Sequence, residues 1–210
     1  MTNLDDAIAT SAPDSRVTYS EPRELTDPKT LRALTHPVRL ALLEVLTLEG
    51  PLTATEAGEL IGESSTTCSF HFRQLAKYGF VEEAGHGPGR QRPWKLVHIG
   101  MRFSDVNDDP EMTVAAKTLE KMMLDRAFTR LQNFYITRSS YPTQWQENSG
   151  SYENILHVTV EELKEVEEEC SAIFKRFRDR LADPALRPPG SLPVEILLFG
   201  FPMRLPEVLS

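Results

Sequence analysis

The stretch from Thr53 to Val97 leaves this chain few folds to choose from. It opens at Thr53-Ala54-Thr55-Glu56, where a threonine and a glutamate three residues apart each satisfy an orphan amide of the other at a helix start. Ala57, Leu60 and Ile61 then share one helical face. Gly62 breaks that helix, and Ser64 or Ser65 is placed to cap the next. From Ser65 to Tyr78 apolar residues recur at Cys68, Phe72 and Leu75, an inward stripe that leaves Ser65, Thr66, Ser69, Phe70 and Arg73 pointing elsewhere. Gly79, free to take a positive φ, ends the second helix.

Beyond Gly79 the period changes. Phe80–Ala84 and Trp94–Ile99 alternate as half-buried strands do, and the connection Gly85-His86-Gly87-Pro88-Gly89-Arg90-Gln91-Arg92-Pro93 cannot be helical. The pair reads as a hairpin with a long cationic tip, in which Arg90, Arg92 and Lys95 lie along a phosphate backbone or reach into a minor groove. Helix, turn, polar helix and basic hairpin in this order are the layout of a winged helix-turn-helix, with double-stranded DNA as the expected partner.

The second helix carries the chemistry for that role. No acidic residue falls between Ser64 and Tyr78, while Arg73, Lys77 and the hydroxyls of Ser65, Thr66, Thr67, Ser69 and Tyr78 do. Hydroxyls serve phosphates or either base type, and arginine favours guanine. Alone, such a face reads equally well as a solvated one; the basic hairpin behind it favours DNA.

These residues resemble those of ArsR-like winged-helix transcriptional regulators. The run Leu34-Thr35-His36-Pro37-Val38-Arg39-Leu40-Ala41-Leu42-Leu43 with Gly50-Pro51-Leu52-Thr53 looks like that family's opening helix. Ile61 through Leu75, followed by Gly79-Phe80-Val81, is similar to its recognition helix and the next strand. The resemblance spans about Pro28 to Ile99 and implies that Ser65, Thr66, Ser69, Phe70 and Arg73 face bases or adjacent phosphates, with Thr67 and His71 at the edge. The expected DNA-binding set is therefore Ser64, Ser65, Thr66, Thr67, Ser69, Phe70, His71, Arg73, Lys77, Arg90 and Arg92. Phe70 departs from the polar residue usual in the family; an aromatic there suits a thymine methyl. His71 reads alternatively as a half-buried helix histidine.

Other chemistries find little support. Cys68 lies on the inward stripe and Cys170 on a distant helix, neither with a second ligand at metal spacing, so no metal and no cofactor is expected. Unpaired cysteines fit a reducing cytoplasm. Cys68 is read as packed rather than as a thiol switch. There is no phosphate loop, nucleophile elbow or zinc-protease pair, and the glutamates from Glu161 to Glu169 look like a solvated helix face, so an enzyme is not expected.

A net charge of −8 is unusual for a nucleic-acid binder, yet the charges segregate: the recognition helix and the loop 85–95 carry only basic groups, and the C-terminal half carries the glutamate run. Within 210 residues, two modules are the natural expectation. Residues 1–23 read as a loose arm without signal-peptide character, and 24–101 as the winged domain, beginning with Asp27 as an N-cap before Pro28. Pro37 kinks or restarts its first helix.

A long helix over 110–138 repeats apolar residues from Met112 through Leu119 to Tyr135, more than a small domain covers. This predicts a partner helix and a homodimer; the alternative is cover by the same chain's C-terminal module. In 139–210, Asn154–Val160 and Val194–Phe201 read as strands around an amphipathic helix over 163–181, a small β-α-β module. The aromatics Phe134, Tyr141, Trp145, Phe174 and Phe199, which fall mostly in this region, are either ordinary core or the lining of a pocket for a small apolar effector.

The overall expectation is a mainly helical α+β chain and a cytoplasmic dimeric repressor that reads a near-palindromic operator. Two alternatives are a winged module that binds protein instead of DNA, and a C-terminal enzyme tethered to a DNA anchor.

Overall fold

The computed structural model describes residues 22–85 and 92–205. Asp27 caps α1 (Pro28–Leu34), its carboxylate accepting from the amides of Lys29 and Thr30. The Thr30 hydroxyl, which also donates to it at 2.7 Å, and then the Thr30 amide hold the carboxyl below its ordinary pKa. Pro37 restarts the chain as α2 (Pro37–Glu49), with the His36 ring nitrogen accepting from the Val38 amide. The capping box forms at α3 (Ala54–Ile61): Thr53 and Glu56 bond reciprocally. Gly62 at φ 74° closes α3, and Ser64 caps α4 (Ser65–Lys77).

These helices bury one core. Leu31, Leu34, Leu42, Ala57, Cys68, Phe72, Leu75 and Leu119 are wholly enclosed, so the stripe Cys68-Phe72-Leu75 faces inward as its spacing predicts. Removing the Phe72 ring from this core would cost roughly 3–5 kcal/mol.

The hairpin forms between β2 (Val81–Glu83) and β3 (Trp94–Leu96), antiparallel, with Val81 opposite Leu96. Leu52 bridges to Trp94 on the other side, and the Trp94 ring stacks on Phe72 at 5.5 Å, locking wing to α4. The strands are shorter than the alternation suggests. A further pair, β1 (Arg23–Glu24) and β4 (Met101–Arg102), is parallel, so Arg23 belongs to the fold and not to an arm.

The long helix α5 (Pro110–Thr137) has two unlike halves. Met112, Ala115, Ala116 and Leu119 complete the core of the winged domain, so this part of the apolar stripe is covered by its own chain. Further on, Arg126 and Arg130 reach Glu44 of α2 at 2.6 and 2.9 Å, while Phe128 and Ile136 remain exposed.

The C-terminal region departs from expectation. The Thr159–Glu162 capping box starts α7 (Val160–Lys175), preceded by the short α6 (Thr143–Asn148) and followed by α8 (Asp179–Ala182). Residues 154–159 and 194–201 form neither helix nor strand, so the β-α-β module is absent among the described residues. The apolar runs are real, but a ladder needs a neighbouring strand within hydrogen-bonding reach, and neither run has one in this chain.

Candidate nucleic-acid interface

Helices α3 and α4 meet through a tight turn, and Gly58 makes it possible. A Cβ at Gly58 would stand 2.6 Å from the Glu63 carbonyl oxygen, the backbone that turns into α4. The Glu63 amide donates to the Gly58 carbonyl at 3.0 Å, fastening that turn. Sequence reasoning missed this residue; an isolated glycine inside a helical pattern was the available signal.

On α4 the side chains of Ser65, Ser69, Arg73 and Lys77 recur every four residues and share a face with Thr66 and Phe70. Ser65, Thr66, Phe70, Arg73 and Lys77 are exposed, Phe70 to 54%, and Ser69 is half-buried. Short donors near the N-terminal end, one aromatic and two cations thus project from a single rigid surface. Ser64 and Thr67 also hold the helix start. The Ser64 hydroxyl accepts from the Thr67 amide at 3.0 Å and lies 2.8 Å from the Thr67 hydroxyl, so both secure the first turn.

His71 is not on this surface. It is buried at 7% exposure, its ring 4.3 Å from that of His36, so its expected place at the edge of the DNA face is corrected to a place beneath it. Its Nδ1 and the Nε of Arg39 are buried without hydrogen-bond partners among the described residues. Burial first, then the nearby His36 and Arg39, pushes the His71 pKa down. Cys68 is fully enclosed, and burial raises its thiol pKa, the reverse of what a reactive thiol requires.

At its far end α4 is held by a residue that the sequence pattern places in the arm. Arg23 donates to the Tyr78 carbonyl at 2.6 Å and lies 4.8 Å above the Phe80 ring. A cation at the carbonyl end of a helix is favoured by the helix dipole as well.

The wing carries a second correction. Arg92 pairs with Glu83 at 2.6 Å and Lys95 with Glu82 at 3.2 Å, so the cations of the hairpin are matched by carboxylates on β2. Arg90 lies outside the described residues. The charge of the loop is plain in the sequence, whereas its pairing with the strand opposite is not.

Elsewhere the C-terminal aromatics pair locally rather than around one cavity: Phe134 with Tyr135 and Tyr141, and Phe128 with Phe199. A shallow crevice between α2, β3 and α8, lined by Leu46, Leu96, Ile99 and Leu181, has Lys95 and Asp183 as its titratable groups. No cluster of three or more His, Cys, Asp or Glu among the described residues is placed to hold a metal. No helix among them is long and apolar enough to cross a membrane.

Together α3, its turn, α4 and the hairpin define a helix-turn-helix unit with a wing. A family model described as a helix-turn-helix domain matches residues 34–84, from the end of α1 to the foot of the wing. No curated protein matches the chain. Among solved structures that do is the transcriptional regulator Tm0710 from Thermotoga maritima, at 14% identity over 70% of this chain and 82% of that one, with a TM-score of 0.28.

Proposed function

We propose that this chain is a sequence-specific DNA-binding transcriptional regulator of the ArsR-like kind. The helix α4 enters the major groove, with Ser65, Thr66, Ser69, Phe70, Arg73 and Lys77 toward the duplex. The hairpin lies along the neighbouring backbone. The observation that carries this reading is the exposed, acid-free face of α4, mounted on a fully buried stripe within the segment that matches the helix-turn-helix family.

The regulator acts as a homodimer, with two α4 helices about 34–36 Å apart on a near-palindromic site. It represses by occupying that site, because blocking polymerase needs no contact beyond the DNA. Exposed apolar residues on the distal part of α5, Phe128 and Ile136, support the dimer.

A mobility-shift titration against genomic fragments at two salt concentrations tests the proposal. Competitor-resistant shifts that weaken as salt rises are expected. Arg73→Ala should lose about 1–3 kcal/mol of specific binding while the fold is retained. Absence of any resistant shift at low salt would defeat the reading.

A further inference from the structure

Arg39, in the first turn of α2, is a half-buried cation without an acceptor. Arg23, Arg32 and Arg92 of the winged domain are each engaged by the chain itself, with the Tyr78 carbonyl, Glu111 and Glu83. The Nε of Arg39 is buried and has no hydrogen-bond partner among the described residues. Burial lowers the Arg39 pKa, and the other group among the described residues that acts on it is the Tyr78 phenol, not a carboxylate. Glu63, which acts on the neighbouring His36 and His71, is not among the groups that act on Arg39. A partly desolvated guanidinium is costly to leave without a counter-charge.

Its surroundings suit an anion. The amides of a helix's first turn carry partial positive charge, and this turn of α2 holds no acidic residue. The ring of the N-cap His36 lies 4.3 Å from that of His71, which is buried at 7% exposure with its Nδ1 unpartnered among the described residues. Burial first, and the Arg39 charge after it, lowers the pKa of both rings, so the guanidinium stands close to them.

Position selects which anion. His71 and Tyr78, the α4 residues beside Arg39, each follow a member of the exposed face, Phe70 and Lys77. They lie about 100° round the helix from that face and form its flank. A helix of about 10–12 Å diameter fills a major groove about 12 Å wide, so a group beside the flank meets the sugar-phosphate wall and not the base edges. The planar fork of an arginine matches phosphate oxygens.

We propose that Arg39, with the first turn of α2, binds a backbone phosphate of the DNA at the edge of the groove that α4 enters. The proposal rests on the reading of α4 given above. Such a contact sets the depth and register of α4 and reads no bases.

The test is a fluorescence-anisotropy titration of the full-length chain between about 50 and 200 mM salt. Two duplexes are compared, one selected by the wild type from a randomised library and one of scrambled sequence. Arg39→Gln should weaken binding to both by the same factor, roughly eightfold near 0.1 M salt, and lower the salt slope by about one counterion. Arg39→Lys should recover most of that slope. Arg39→Gln and Arg39→Met should melt as wild type does, since the side chain holds no acceptor among the described residues. A folded Arg39→Gln chain with wild-type affinity and slope would overturn the phosphate contact and leave the reading of α4 standing. Weakening confined to the selected duplex would overturn it too, by making Arg39 a reader of bases. Lowered melting in both neutral variants, with Arg39→Lys melting as wild type, would make Arg39 a structural cation instead. A wild type that binds neither duplex at low salt would overturn this contact and the reading of α4 together.

Discussion

Beneath the exposed face of α4, two histidines share a tight space. His71 lies against His36, with Arg39 and Glu63 as the other charged groups that act on it. Both histidines are held below their ordinary value near 6.5, first by burial. A lowered histidine pKa means that the folded chain binds fewer protons than the unfolded one, so its stabilising contribution is full above that value. It is lost as the pH falls from 6.5 toward the depressed folded value. Urea midpoints should therefore drop between about pH 7 and pH 5, and His71→Leu should flatten the decline. The capping carboxylates Asp27 and Glu56 act in a lower window, since their ordinary values are 3.8 and 4.5. A midpoint that does not change from pH 7 to 5 would show that His71 is not buried. Gly58 offers an independent check at this scale. Gly58→Ala should cost roughly 1–3 kcal/mol by thrusting a methyl against the Glu63 carbonyl, read as a lowered melting temperature. Unchanged melting would mean that the α3–α4 turn is wide enough to take a side chain.

Among the elements, the wing makes the sharpest prediction. Because Glu82 and Glu83 pair with Lys95 and Arg92, the described part of the hairpin is nearly neutral as it approaches a phosphate backbone. Replacing both glutamates by glutamine should strengthen binding to random DNA and steepen the salt dependence by roughly one to two counterions. A slope that stays the same would place the hairpin away from phosphate. This is also where reading by residue and reading by structure part company. Helices α1 to α5 were legible because caps at Asp27, Thr53 and Ser64 and stops at Gly62 and Gly79 bracket periodic apolar stripes, all of them local signals. The polar face of α4 was legible for the same reason. The burial of His71, the clamp of Arg23 on Tyr78 and the wing ion pairs depend on contacts between distant segments, which no local pattern carries. The two apolar runs at 154–160 and 194–201 have the composition of strands, but pairing is a property of two segments, and these two do not meet in this chain.

The whole molecule is a small winged domain with a long helix leading to a region in which no described residue beyond Ala127 is buried. Its longest run of glutamates lies on α7, whereas α4 carries no acidic residue. Selection of binding sites from a randomised duplex library, run in parallel with wild type and Arg73→Ala, tests the central claim most directly. The account predicts an enriched, two-fold related motif for wild type and loss of base preference at one position of each half for Arg73→Ala. Enrichment of the same motif with undiminished preference by both proteins, or of no motif by either, would contradict the assignment of the exposed α4 face as the surface that reads DNA.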